Sequence, residues 1–209
     1  MTLPDLLCEI APPDERSPEA LRRSAVHEAA HACVARLTGA AVRQVSILMA
    51  EGSGGHTATH APDMVPTRRG LENLVMTALA GRAGEEALCG GPSAGTESDL
   101  AFATSLLAAI HGSLGLGDSL LHRGSREQVH ALLAVDPALR RAVEDDLGRL
   151  YAGTLALVRE HRGFVEALAG ALVAERQISG ERFEALFLAH ARARQTVDRA
   201  RPRGGRHGG

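Results

Sequence analysis

Lysine is absent from this chain of 209 residues: all 23 of its basic residues are arginine. A catalytic lysine, a Schiff base and a GxxxxGK[ST] phosphate loop are thereby excluded. Tryptophan is also absent, tyrosine occurs once and phenylalanine four times. The core must therefore rest on Leu, Ala and Val, which favours closely packed helices over a sandwich or barrel. The three cysteines, Cys8, Cys33 and Cys89, are odd in number, far apart and form no CxxC pair. They point to a reducing compartment, and the cytoplasm is the expected location. No apolar run approaches the ~20 residues that span a bilayer. The first residues lack the basic start and continuous apolar stretch of a signal peptide. A formal net charge of −2 gives the whole molecule no pull towards nucleic acid or membrane.

What is present divides into three parts. Residues 1–16 carry Pro4, Pro12 and Pro13 and read as an irregular lead-in. Residues 17–193 form the expected folded domain, and residues 194–209, rich in Arg and Gly, read as a disordered tail. Ser17-Pro18-Glu19 is a helix start: a capping hydroxyl, proline at the first helical position, then an acid. That helix should run to Leu37 and stop at Gly39. Residues 42–49 alternate as a strand, and a Gly-rich turn at 52–55 leads to a second extended stretch at 56–60. Further helices are expected over about 67–88, after a Thr96 cap, and from Pro137 to about Glu160, with two more punctuated by Gly163 and Gly180. The glycine-rich stretch 112–124 reads as a loop. The expected fold is mainly α, a helical domain with a small β-hairpin or edge sheet beside its first helix.

Inside that first helix stands His27-Glu28-Ala29-Ala30-His31. At 100° per residue the two histidines lie about 40° apart, one turn from each other on one face. Two imidazoles so placed can reach one zinc ion at the ~2.0–2.1 Å a Zn–N bond requires. Glu28, about 100° round from His27, is better placed to hold an attacking water and accept its proton than to bind the ion. A helix that merely exposed both histidines would need no ion, but Ala25, Val26, Ala29, Ala30, Ala32, Cys33 and Val34 surround them. Imidazoles in an apolar setting need partners, and a shared cation supplies them. Cys33 falls on the opposite side of the helix and reads as core. His111, His122, His130 and His161 are isolated along the sequence and read mostly as solvated.

A catalytic zinc needs a third protein ligand and an open position. Val34 and Leu37 occupy the places where metzincins carry Gly and a third His. Candidates further along are Glu85 and Glu86, His56 and His60, and Asp99, and spacing alone does not choose among them.

Three segments together resemble the peptidase domain of the FtsH-type membrane AAA proteases. They are Arg22 to Ala32 around the paired histidines, Gly81-Arg82-Ala83-Gly84-Glu85-Glu86 followed by Gly90, and Ala94-Gly95-Thr96-Glu97-Ser98-Asp99-Leu100. Weaker similarity continues to about residue 188. The resemblance implies a zinc endopeptidase with His27, His31 and Asp99 as ligands and Glu28 as general base. It moves Glu85 to a partner of an imidazole and makes His56 a bystander. It also implies that an extended peptide adds to an edge strand at Gly55 and Thr57, hence loose sequence preference, and that the chain self-associates, as a hexamer in the family. Ala30 departs from the family's glycine inside the motif, and 110–124 lacks its Trp-containing segment. The ATPase module and membrane helices have no counterpart in these residues, so turnover independent of ATP, or an ATPase partner acting in trans, is expected. The competing expectation is a protein that grips extended peptides or a partner without cutting.

Overall fold

The structure, a computed structural model, describes residues 14–48, 55–60 and 66–200; for His60 and residues 197–200 it describes the backbone alone. Helix α1 (Pro18–Leu37) begins where Ser17 accepts a hydrogen bond from the Ala20 amide, with Pro18 at its first position. It is central. Leu21, Ala25 and Val26 are buried, as is every residue from Glu28 to Ala35, the pattern of a helix covered on most sides. Gly39 then takes φ +99°, a conformation open to glycine without a Cβ penalty.

The chain leaves α1 into strand β1 (Ala41–Ser46). This strand is the middle of a three-stranded antiparallel sheet, paired on one side with β2 (His56–His60) and on the other with β3 (Gln177–Ser179). The expected hairpin therefore gains a third strand from far along the chain. β1 ends at Ser46, short of Met49, although the Ile47 amide still donates to the Arg176 carbonyl at 2.9 Å. Residue 49 and the turn up to residue 54 lie outside the described residues. Because β1 takes the middle, β2 has a partner on one edge only among the described residues.

Helix α2 (Arg68–Leu88) is capped by the Thr67 hydroxyl and lies along α1. Gly84 faces Ala30 so closely that a Cβ there would stand 2.6 Å from the Ala30 Cβ. The methyl group at position 30 is thus accommodated by a bare Cα opposite. Helices α3 (Glu97–Gly112), α4 (Arg126–Leu132), α5 (Pro137–Glu160), α6 (Arg162–Glu175) and α7 (Gly180–Ala200) complete the fold. Among the described residues no helix is long and apolar enough to cross a membrane.

Two apolar cores form, and α2 belongs to both. One gathers α1, the sheet, α6 and α7 around Phe164, Phe183 and Ile178, with Ala80 and Ala83 supplied by α2. The other gathers α3, α4 and α5 against Leu71, Val75 and Leu79 of α2.

Four further details differ from expectation. Helix α4 is an addition, opened by a reciprocal capping box between Ser125 and Gln128. Helix α7 continues through Ala200, so residues 194–200, expected as the start of a disordered tail, are helical; residues 201–209 lie outside the description, as do residues 1–13. Thr96 does not cap α3: its hydroxyl turns back to the Ser93 carbonyl, because a 3-10 turn (Ala94–Thr96) capped by Ser93 comes first. His111, expected in solvent, is mostly buried and pairs with Asp146 at 3.0 Å.

Candidate metal centre

The α1–α2 crossing and the N-terminus of α3 enclose one cleft of about 640 Å³, which β2 borders. His27 and His31 enter it from successive turns of α1, their rings edge to face with centroids 4.6 Å apart. Each imidazole is oriented through its Nδ1. His27 Nδ1 lies 2.9 Å from Glu85 Oε1, and His31 Nδ1 lies 2.7 Å from the Thr77 carbonyl oxygen. Both acceptors fix the proton on Nδ1, which leaves the two Nε2 atoms as the inward-facing donors of electron pairs.

Those Nε2 atoms stand 2.9 Å apart. Asp99, in the first turn of α3, brings Oδ2 to 3.2 Å from His27 Nε2 and 3.3 Å from His31 Nε2. Two lone pairs and a carboxylate oxygen at such distances repel unless a cation lies among them. A tetrahedral ion with bonds of ~2.0–2.1 Å sets its donors roughly 3.3 Å apart, within about half an ångström of the edges found here. Among the described residues, His27, His31 and Asp99 alone form a cluster able to share one ion. The donor set fits a divalent metal: two imidazoles, one carboxylate and an open side towards the cleft.

Electrostatics agree. Burial alone would pull the His27 imidazole down, but hydrogen bonds to Asp99 and then Glu85 outweigh it and raise it to about 9. Burial would raise Asp99, yet its close contacts with His27 and then His31 hold it well below the usual carboxylate range. Without a metal the site is one that holds a proton tightly; with one, the metal takes the proton's place.

Glu85 is a junction. Its carboxylate is 2% exposed in the side chain, and it also accepts from Arg23 at 3.1 Å and from the Ser93 amide at 2.6 Å. Burial would raise it, but hydrogen bonds from His27, Ser93 and Arg23 lower it to about 2. Arg23 in turn donates to the Gly91 and Cys89 carbonyls, holding the end of α2 and the loop that leads to Asp99. Glu86 turns the other way, where it accepts from Tyr151.

Glu28 is largely buried at the cleft floor, and its Oε2 accepts from the Thr57 hydroxyl at 2.8 Å. Gly55 lies against the same carboxylate. His56 lines the cleft but is exposed and joins no ligand cluster among the described residues; the His60 side chain is outside the description.

Sequence reasoning missed four contributors. Arg23 sits one turn before His27, so the i, i+4, i+8 spacing of Arg23, His27 and His31 was the available signal. Gly81 packs against the His27 ring, where a Cβ would stand 2.3 Å from Cε1; its spacing of three from Gly84 marks a close helix contact. The Thr77 carbonyl and the Ser93 amide are main-chain groups, and nothing in the side chains announces them.

The model of peptidase family M41 matches residues 15–186. The chain belongs to that family. Similar proteins include "ATP-dependent zinc metalloprotease FtsH 2" of Symbiobacterium thermophilum, 33% identical over 183 residues, covering 78% of this chain and 30% of that protein. "ATP-dependent zinc metalloprotease FtsH 3" of Conexibacter woesei is 30% identical over 204 residues, covering 90% of this chain and 27% of that one. "ATP-dependent zinc metalloprotease FtsH 1" of Sorangium cellulosum is 33% identical over 196 residues, covering 86% and 32%. This M41 chain thus spans about a third of the length of the relatives it matches.

Proposed function

We propose that this M41 domain is a zinc-dependent endopeptidase that hydrolyses peptide bonds in unfolded or flexible chains. The observation that carries the reading is the convergence of two Nδ1-anchored imidazoles and the Asp99 carboxylate beside Glu28, in a cleft bordered by a strand with one edge unpaired among the described residues. His27, His31 and Asp99 would hold the ion. Bound there, zinc supplies a Lewis acid that polarises the scissile carbonyl and makes water acidic enough to attack at neutral pH. Glu28 accepts the proton of the attacking water and delivers it to the leaving amine. Glu85 keeps the His27 ring in the tautomer and orientation that ligation needs.

The main chain at Thr57 of β2, with Gly55 just before the strand, supports substrate placement. An extended peptide paired there gains backbone hydrogen bonds with little demand on side-chain identity. Turnover of flexible chains would need no ATP. Folded substrates would need an unfoldase, supplied by an ATPase partner in trans, and self-association, as a hexamer, belongs to the same proposal.

The test is zinc content together with casein digestion for the wild type and Glu28→Gln. About one zinc per chain in both proteins, with digestion by the wild type alone, is expected. Equal digestion by the variant would remove Glu28 from the chemistry. Zinc binding without digestion by the wild type would favour a peptide-gripping protein instead.

A further inference from the structure

We infer that β2 serves as a cradle for the general base, with Thr57 a positioning residue whose hydroxyl fixes the orientation of the Glu28 carboxylate. The inference rests on the proposed role of Glu28 and adds to it. Along a strand, side chains stand perpendicular to the direction of main-chain pairing. β2 can therefore offer its backbone edge to a peptide while a side chain reaches down to α1.

Thr57 does so. Its Oγ1 lies 2.8 Å from Glu28 Oε2 and 3.2 Å from the Glu28 carbonyl oxygen. A hydroxyl has one proton to donate, and the charged, nearer carboxylate is the stronger acceptor. Gly55 completes the cradle. A Cβ at that position would stand 2.9 Å from Glu28 Oε1, 3.0 Å from Glu28 Cγ and 2.9 Å from the Ser46 carbonyl oxygen. The Ser46 oxygen is main chain of the neighbouring strand and has no rotamer in which to escape. Only a residue without a side chain lets β2 come down onto the carboxylate. The two contacts grip opposite oxygens: Oε2 is held by Thr57, while Oε1 faces the bare Cα and makes no hydrogen bond among the described residues. Oε1 is thus the oxygen left to take the proton of water.

A Glu side chain has several rotatable bonds, and a base serves only when it is within hydrogen-bond reach of the proton it takes. Freed from Thr57, the carboxylate would spend part of its time out of that reach.

The experiment measures kcat and KM on an unstructured fluorogenic peptide, with zinc content, for the full chain and for Thr57→Val, Thr57→Ser and Gly55→Ala. Thr57→Val should lower kcat about 10- to 100-fold, as expected for a misplaced catalytic group, with KM and zinc content unchanged; Gly55→Ala, which also shifts the strand, should lower kcat at least as far with zinc content unchanged. Thr57→Ser, which keeps the hydroxyl, should recover most of kcat. Combined with Glu28→Gln, Thr57→Val should cause no further loss, since the group it positions is already disabled. A raised KM at unchanged kcat would overturn the proposal and assign the Thr57 side chain to substrate. Equal loss in the Val and Ser variants would overturn it too. Full activity in Thr57→Val beside an inactive Glu28→Gln would sink the cradle alone, whereas full activity in Glu28→Gln would sink the base assignment beneath it.

Discussion

A single added methyl group is enough to test the centre at the scale of the residue. Gly81 has no Cβ because the His27 ring occupies that place, with three ring atoms within 2.6 Å of where it would be. Backbone on one side and a ring tied to Glu85 on the other leave little room to give. Gly81→Ala should therefore rotate His27 away and sharply lower zinc occupancy while the helix persists, as metal analysis and circular dichroism would show. Two further substitutions separate a ligand from its support. Asp99→Ala removes a donor and should leave the protein largely free of zinc. Glu85→Gln keeps every ligand but weakens the hold on His27, and should lower zinc affinity about 10- to 100-fold in a competition titration. Equal zinc content in wild type and Asp99→Ala would take that carboxylate out of the centre.

Between elements, the controlling contact is the α1–α2 crossing, where Gly84 meets Ala30. Gly84→Ala overfills it and should cost about 1–3 kcal/mol in urea unfolding. Restoring space from the other side, with Ala30→Gly in the same chain, should recover much of that loss. Elsewhere Phe164 packs edge to face with Phe183 and Phe187, ring centroids 5.7 and 5.1 Å away, and Phe164→Ala should cost about 3–5 kcal/mol.

The caps explain how far such elements were legible beforehand. Ser17-Pro18, Thr67 and Asp136-Pro137 each fix a helix start through a local side-chain bond, and each stands where the sequence indicates it. Ser125 and Gln128 carry the same kind of signal for α4, overlooked because the helix is a short, mostly exposed turn at the end of a glycine-rich loop. Helix α7 outlasts its expected end: Arg194, Gln195, Arg199 and Ala200 favour helix, whatever their value to a core. The pairing of His27 with His31 was legible because four residues of helix decide it. Asp99 was not, since its arrival depends on the packing of α2 and a 3-10 turn; resemblance pointed to it where spacing could not. His111 was misjudged for the same reason, its partner Asp146 lying 35 residues away.

For the whole molecule, buried carboxylates set the response to acid. Burial would raise Asp146, but hydrogen bonds from Arg149 and His111, with Arg68 nearby, lower it; Glu85 stands lowered to about 2. Groups whose folded values are depressed stabilise the fold above their unfolded values and lose that contribution as pH falls. The midpoint of urea unfolding should therefore decline from about pH 4.5 towards pH 2. Asp146→Asn should flatten part of that slope. A midpoint insensitive to acid would show that neither carboxylate is held as the structure has it.

One carboxylate also spans two parts of the molecule. Glu85 grips His27 of α1 and, through the Ser93 amide, the loop that delivers Asp99. The proposed ligands are thus not three independent fingers. Capturing the ion and seating α3 become one equilibrium, so the tightness with which the protein holds its metal is also a measure of how firmly α3 stays closed over α1.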